Sequence, residues 1–243
     1  MRSGLLRAYC VAAAIMTGGT GVLAQTLDET APALPASEPS GGAKPEHFLL
    51  YSGFDIWRFG RAGYGGFYAA PEGLGNDGFV ARLFASEGRE RYDFGAKRYS
   101  TDILRLSLSP GWRLSQGGFE LKVFAGPELE SASRSATHIG ALIAAETWWE
   151  PLRELALSSS FSATTNVNAW SARGAASWRV RDQFWVGPEI LASGDIDSKQ
   201  YRVGAHLTGF RLAAFEWSLA AGVLQDSFHR SGVYGRIGVS TGQ

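Results

Sequence analysis

The sequence predicts an all-β protein, an antiparallel up-and-down β-barrel of about twelve strands of the outer-membrane type. Three observations lead to this prediction. Apolar and polar residues alternate with a period of two, in segments that recur at spacings of roughly a dozen residues. The connections between these segments are alternately short and long. The chain also begins with a pattern typical of exported proteins.

The composition agrees with this fold class and excludes several others. The 243 residues include 31 glycines, 12% aromatic residues and only 19% charged residues, which favours many short strands joined by tight turns. A formal net charge of zero argues against a nucleic-acid-binding protein, so no nucleic-acid partner is expected. A single cysteine excludes a disulfide-stabilised fold.

Residues 1–24 are predicted to be a secretory signal peptide. Two arginines precede a short apolar run, and Val22 and Ala24 stand at the −3 and −1 positions of a cleavage site. The alternative is a transmembrane anchor, but the polar and glycine residues 17–21 leave the apolar run too short to span a bilayer. Cleavage would remove Cys10 and leave a mature chain without cysteine.

Residues 25–46 are predicted to form a disordered, proline-rich linker. This stretch contains four of the nine prolines and shows no apolar period. The barrel domain is therefore expected to comprise residues 47–243.

The strands follow in chain order, and the segment 103–114 shows the pattern most clearly. Its apolar face consists of Leu104, Leu106, Leu108, Pro110, Trp112 and Leu114, and its other face contains Arg105, Ser107, Ser109 and Arg113. The same alternation predicts strands within 119–130, 138–149, 170–179, 184–190, 201–208, 215–223 and 233–240. Weaker patterns predict strands within 48–58, 63–71, 78–88 and 153–165.

The connections between these strands fall into two sets. The short set is 115–117, 150–152, 181–183 and 211–212, and the longer, more polar set is 87–99, 131–137, 164–168, 194–199 and 225–230. A meander with short turns at one end and long loops at the other is typical of outer-membrane barrels.

The apolar face is expected to point outward into lipid. Five tryptophans near strand ends on this face suit a belt at the membrane interface: Trp112, Trp149, Trp170, Trp178 and Trp217. The alternative is a soluble barrel or sandwich, in which the same apolar residues would point inward and form the core. Loop asymmetry and strand length favour the membrane barrel.

Motifs for catalysis or for a cofactor are weak. The four histidines His47, His138, His206 and His229 show no metal-ligand spacing, so no metal or other cofactor is expected. The sequence contains no G-x-S-x-G nucleophile elbow. A serine–histidine lipid or glycan hydrolase using His138 or His206 remains an alternative, but a protein without catalytic activity is expected.

The polar face supplies the candidate site residues. The residues that would line the lumen and could contact a glucan chain are Arg105, Glu120, Glu146, Trp148, Arg173, Trp185, Glu189, Arg202, His206 and Arg236. Because both charge signs occur, the lumen could hold a neutral polar ligand, with Trp148 and Trp185 as stacking platforms. The more general interpretation is a set of structural ion pairs that fill the lumen.

Several stretches in the body resemble the BcsS family of bacterial cellulose biosynthesis proteins. These include Tyr51–Arg58, Pro110–Arg113, Ala145–Pro151, Arg202–Gly209 and Ser231–Arg236. Their order along residues 49–240 carries the resemblance, since no single motif is diagnostic.

The resemblance implies an accessory role beside a bacterial cellulose synthase in the cell envelope. A cellulose or glucan chain and subunits of the cellulose synthase complex are the partners expected from it. Outer-membrane lipid is the partner expected from the apolar face of the barrel. The alternative is a soluble periplasmic β-protein that binds glucan or a synthase subunit.

Overall fold

The computed structural model describes residues 46–94, 97–133, 136–166, 168–181, 183–196 and 198–242. The predicted signal peptide and all but the last residue of the predicted linker lie outside the described residues. The described chain forms twelve strands. They are β1 (Phe48–Trp57), β2 (Gly60–Ala69), β3 (Gly78–Phe94), β4 (Lys97–Gln116), β5 (Phe119–Ala132), β6 (His138–Leu152), β7 (Leu155–Thr164), β8 (Trp170–Val180), β9 (Phe184–Gly194), β10 (Lys199–Leu212), β11 (Phe215–Asp226) and β12 (Ser231–Gly242). Within the described ranges, no helix is long and apolar enough to cross a membrane.

The sheet closes into a barrel. Each strand pairs antiparallel with its neighbours in sequence, and β1 pairs with β12. The closing seam runs from Leu49 opposite Gly242 to Trp57 opposite Tyr234. Closure joins the first and last strands, whose edges would otherwise be left with unpaired backbone groups. The predicted twelve-stranded antiparallel up-and-down barrel is confirmed.

The alternation of the sequence sets which side chains point inward. In β4, Arg105 and Ser107 point into the lumen and are each 2% exposed. Leu106 and Leu108 point outward and are 44% and 53% exposed. The other strands repeat this arrangement, so the barrel has an apolar outer wall and a largely polar interior. The alternative with the apolar face inward is wrong for this fold.

The two ends of the barrel differ, as the connection lengths predicted. The end at 117–118, 153–154, 181–183 and 213–214 is called the short-turn end, and both chain ends of the barrel domain lie there. The opposite end, with connections 133–137, 165–169, 195–198 and 227–230, is called the loop end. Gly117 and Gly118 have φ values of 55° and 80°, which a tight two-residue hairpin requires.

Three connections differ from the prediction. The stretch 87–99 is not a loop, because β3 and β4 stay paired from Glu87 opposite Leu104 to Phe94 opposite Lys97. Here β3 and β4 continue past the apolar band. Their outward-facing residues are polar there, so the sequence shows no alternation of apolar and polar residues that would predict a strand. The connection 70–77 makes the short-turn end longer on one side, and β1 and β2 are joined at the loop end by residues 58–59 alone.

Outward-facing aromatic residues collect at the short-turn end. They are Phe48, Phe67, Phe79, Trp112, Phe119, Trp149, Trp178, Phe184, Phe210, Phe215 and Trp217. Four of the five predicted belt tryptophans lie in this girdle, whereas Trp170 lies at the loop end. At the loop end the outer wall carries charged residues instead, including Arg61, Arg89 and Asp102.

The apolar outer band has the height of a membrane core. In β4 it extends from Leu104 to Leu114, which at about 3.3 Å per residue is about 33 Å along the strand. With the usual barrel tilt of about 40°, this distance corresponds to about 25 Å along the barrel axis. Outer-membrane barrels have an apolar band of about that height.

Candidate functional site: the barrel lumen

The lumen contains all ten sequence-predicted site residues. Each lies on an inward-facing strand position and is at most 9% exposed: Arg105, Glu120, Glu146, Trp148, Arg173, Trp185, Glu189, Arg202, His206 and Arg236. They do not form one site. They belong to separate clusters that lie at different heights and on different walls of the lumen.

The first cluster is built around Glu189 on β9. Its carboxylate accepts hydrogen bonds from Arg173 Nε at 2.9 Å, from Arg236 Nη2 at 2.8 Å and from the Tyr234 hydroxyl at 2.9 Å. The Glu189 side chain has no exposed surface, and both guanidinium groups are at most 7% exposed. One buried carboxylate thus faces two buried cations and one hydroxyl group, which fixes β8, β9 and β12 to one another.

Arg202 extends this cluster across the lumen to β1. Its Nη1 donates to Asp55 Oδ2 at 2.5 Å, and its Nε donates to Gln200 Oε1 at 2.7 Å. The guanidinium carbon lies 5.1 Å from the ring centre of Trp57 and 5.3 Å from that of Tyr234. Arg202 is therefore paired electrostatically and enclosed by aromatic faces.

The second cluster is built around Glu146 on β6. Its Oε1 accepts hydrogen bonds from the Tyr68 hydroxyl at 2.7 Å and from Arg82 Nη1 at 3.2 Å. The Arg82 guanidinium lies 5.0 Å from the Phe124 ring centre, and the Lys122 ammonium lies 5.5 Å from that of Tyr68. These contacts join β2, β3, β5 and β6 through the interior.

Smaller groups of paired charges line the same wall on either side of the second cluster, one toward each end of the barrel. Glu120 pairs with Arg113 at 2.7 Å and with Lys122 at 2.6 Å near the short-turn end. Arg105 pairs with Glu130 at 2.9 Å nearer the loop end. All five side chains are at most 10% exposed, so they are paired rather than solvated.

Trp148 and Trp185 contact each other near the short-turn end. Their ring centres are 5.8 Å apart and the ring planes meet at 82°. Trp148 Nε1 donates to Glu150 Oε1 at 2.8 Å, and the Arg179 guanidinium lies 4.5 Å from the Trp185 ring centre. The two rings are 2% and 6% exposed, so a sugar ring could stack on them only after the cluster had opened.

Close packing of tyrosines closes the remaining space on the β1–β2 side. A Cβ atom at Gly53 would clash with the Tyr64 ring, and one at Gly66 would clash with Tyr51. Tyr51 and Tyr68 pack with ring centres 5.3 Å apart. A twelve-stranded barrel is wider than the eight-stranded kind that side chains fill easily, and here aromatic and arginine side chains supply the extra volume.

His206 and His138 are the histidines predicted as candidates for a hydrolytic site. His206 Nε2 lies 2.9 Å from Ser177 Oγ, but Ser177 is fully buried. Among the described residues, no carboxylate accepts a hydrogen bond from His206 Nδ1, so the group that orients a catalytic histidine is missing. His138 is exposed at the start of β6. The described residues contain no group of three or more His, Cys, Asp or Glu side chains that could hold a metal ion.

Sequence reasoning missed several members of these clusters. Asp55, Tyr68 and Arg82 lie on β1 to β3, where the alternation of apolar and polar residues is weak. Each of the three follows or precedes an outward apolar residue, Phe54, Phe67 or Leu83, so the alternation predicts that it faces inward. The sequence does not predict which residues they pair with.

Comparisons with solved structures give similar barrels at low identity. The KdgM porin, solved in complex with disordered oligogalacturonate, is 11% identical, with a TM-score of 0.49 over 79% of this chain and 98% of that chain. The translocator domain of the autotransporter NalP from Neisseria meningitidis is 11% identical, with a TM-score of 0.47 over 97% of this chain and 93% of that chain. LpxR from Salmonella typhimurium is 10% identical, with a TM-score of 0.47 over 79% and 99%.

Sequence comparison identifies the family. A search of curated proteins finds no match. The family model described as cellulose biosynthesis protein BcsS matches residues 49–243, which is the whole barrel from the second residue of β1 onward. This match confirms the resemblance inferred from the order of the motifs. The chain therefore belongs to the BcsS family of cellulose biosynthesis proteins.

Proposed function

We propose that this protein is a non-catalytic outer-membrane barrel that supports cellulose production at the cell envelope, and that its lumen is a structural core rather than a passage for glucan. The observation that carries the proposal is the combination of an apolar outer wall with an interior filled by paired charges. The apolar outer wall suits a lipid environment. Because the interior is filled, the two ends of the barrel are the surfaces that can contact partners.

The outer wall supports the membrane location. Leu104, Leu106 and Leu108 would each expose about half of their surface to water in a soluble protein. In a lipid bilayer, the same apolar surface is removed from water. A closed sheet also satisfies its backbone hydrogen bonds internally, as a membrane requires. The aromatic girdle would lie at the membrane interface, with the short turns on the periplasmic side and the loop end outside.

The interior supports a structural role. A passage for a glucan chain would need a continuous polar channel along the barrel axis. The bonds Arg202–Asp55 and Tyr68–Glu146 instead cross between walls, and each involves buried groups. Breaking a buried pair by removing one partner costs about 3–5 kcal/mol, so opening the lumen would be expensive.

The burial of the hydrogen-bonded Ser177–His206 pair supports a non-catalytic role. Ser177 is 0% exposed and His206 4% exposed, so neither can meet a substrate from the mouth of the barrel. In this proposal, their hydrogen bond connects β8 to β10.

The test is a clean deletion strain in which secreted cellulose and cell-associated glucan are measured separately. The proposal predicts that both fall, because the synthase machinery is no longer supported at the envelope, and that the wild-type chain restores both. Glucan trapped inside the envelope would contradict it in favour of a conduit. Unchanged cellulose would contradict any role in cellulose production.

Complementation with Trp148→Ala and Trp185→Ala separates the structural lumen from a glucan-binding lumen. The proposal predicts full restoration whenever the variant barrel reaches the membrane fraction in normal amount. Loss of cellulose with a normal amount of folded barrel would favour glucan binding instead. Recovery of the wild-type protein in the soluble periplasm, without a heat-dependent gel shift, would contradict the membrane location.

A further inference from the structure

The outer wall has a groove on one side of the barrel. It has a volume of about 520 Å³ and crosses β12, β11 and β10, where its floor includes Gly235, Ala221 and Ala205. These three residues are register neighbours, so their small side chains form a continuous depression. Ile237 and Leu219 stand one row nearer the short-turn end, and form its lower wall.

A second cavity adjoins the groove and is charged. It has a volume of about 250 Å³ and is lined by Arg61, Arg89, Asp102 and Glu87 on β2 to β4. Phe54 lines both cavities, so they meet at β1.

The charged cavity is held in shape by an ion pair. Arg89 Nε donates to Asp102 Oδ1 at 2.5 Å and its Nη2 donates to Oδ2 at 3.1 Å. These hydrogen bonds hold the pKa of the Asp102 carboxyl below its usual value, on the part of the β3–β4 hairpin that projects beyond the apolar band. The pair keeps the Arg89 guanidinium beside Arg61, whose Cα is its register partner on β2.

The groove descends from this cavity into the apolar band. Arg61 is the second residue from the loop end on β2, and its register partner Ile56 is the second on β1. Gly235, Ala221 and Ala205 are the fifth, sixth and seventh residues from the loop end of their strands. Four inter-strand spacings of about 4.8 Å make the path from β2 to β10 about 19 Å long, comparable to a fatty-acyl chain.

We infer that this pair of cavities binds one membrane lipid with an anionic, phosphorylated headgroup. The arginines at the loop end contact the headgroup phosphate, and an acyl chain lies in the groove over Gly235, Ala221 and Ala205. The cavity itself holds two arginines and two carboxylates, one of which, Asp102, is paired with Arg89. The exposed Arg58 and Arg91 beside it give this part of the loop end an excess of positive charge, which favours an anionic headgroup. The inference rests on the proposed membrane location, which places this end of the barrel in the outer leaflet.

The test is native mass spectrometry of the full chain purified in detergent and titrated with bisphosphorylated lipid A. Gly235→Leu should fill the groove without disturbing the fold, because a Cβ there would meet only Ile56 Cγ2 at 3.9 Å. Arg61→Glu should reverse the charge at the headgroup. Each variant should weaken binding of the first lipid at least tenfold.

Matched controls lie elsewhere on the same barrel. Gly174→Leu on β8 places the same side chain at another outward glycine, where a Cβ would meet only Ile190 Cγ1 at 3.7 Å. Arg153→Glu reverses an exposed arginine at the short-turn end. Both should bind lipid A like the wild type. Phosphatidylcholine, which has no net charge, should bind at least tenfold more weakly than lipid A.

Three results would overturn the inference. Equal binding of lipid A by all variants would exclude the groove, and equal binding of phosphatidylcholine, whose phosphate is balanced by choline, would exclude selection of an anionic headgroup. Loss of a dimer rather than of a lipid in Gly235→Leu would assign the groove to a second copy of the chain. A heat-dependent gel shift measured on the same samples tests the membrane barrel independently, so failure of the lipid site and failure of the proposed function are distinguishable.

Discussion

Glu189 should be the most sensitive single position in the interior. Replacing it by alanine removes the carboxylate that accepts hydrogen bonds from Arg173, Arg236 and Tyr234. The guanidinium groups of Arg173 on β8 and Arg236 on β12 would then be buried without the carboxylate that they share. Removal of one partner of a buried ion pair costs about 3–5 kcal/mol, and here two cations lose their common partner.

Urea unfolding in detergent, followed by tryptophan fluorescence, measures this cost. With a denaturant dependence of about 2 kcal/mol per M, the midpoint should fall by about 1.5–2.5 M for Glu189→Ala. The exposed Glu154, in the turn between β6 and β7, supplies the control, and Glu154→Ala should leave the midpoint unchanged.

A second substitution tests the electrostatic explanation. Adding Arg173→Met to Glu189→Ala removes one of the two stranded cations, so the double variant should be more stable than Glu189→Ala alone. A midpoint within 0.5 M of the wild type for Glu189→Ala, a shift of less than about 1 kcal/mol at that slope, would refute the reasoning. A double variant less stable than Glu189→Ala would refute it as well.

Three further predictions concern the outer wall, the lumen and the histidine. Ile143 faces outward on β6 and is 55% exposed, so Ile143→Arg should lose about 2–4 kcal/mol of stability in lipid vesicles. Glu154→Arg, in the exposed turn between β6 and β7, should be near neutral, and equal effects of the two substitutions would contradict a lipid-facing wall. The wild-type barrel in a planar bilayer should show no steady conductance, while Tyr68→Ala combined with Phe124→Ala should conduct; a wild-type channel as wide as a glucan chain would contradict a filled lumen. Purified protein incubated with lipid and glucan esters should show no turnover that depends on His206, and activity lost in His206→Ala with the barrel intact would reinstate the hydrolase.

The fold could be predicted because alternation is a local signal. Arg105 and Leu106 are adjacent in sequence, and their chemistry alone indicates which one faces lipid. The same rule fails where the chain leaves the apolar band, since Glu87, Arg89 and Arg91 are polar on the outward face although β3 continues. The pairing of β3 with β4 there depends on backbone hydrogen bonds, which leave no mark in the side-chain pattern.

The clusters within the lumen could be predicted only in part. Parity placed Glu189 and Arg202 in the interior, but their partners Tyr234 and Asp55 are 45 and 147 residues away along the chain. Such contacts depend on the number of strands in the barrel and on the stagger between them. Neither quantity can be read from a short stretch of sequence. The sequence predicts Trp148 and Trp185 as stacking platforms in the lumen. For the same reason, it does not predict that the two rings contact each other.

The most direct test of the central claim is the depth of the outer wall in a membrane. Residues 25–243 contain no cysteine, so in a chain expressed from residue 25 Leu106→Cys and Gln116→Cys can each carry one environment-sensitive fluorophore. In vesicles that contain an acyl-chain quencher, the account predicts strong quenching at position 106 and little at position 116, which lies at the short turn. Equal weak quenching at both positions, or a protein that stays out of the vesicles, would contradict a barrel whose apolar wall faces lipid.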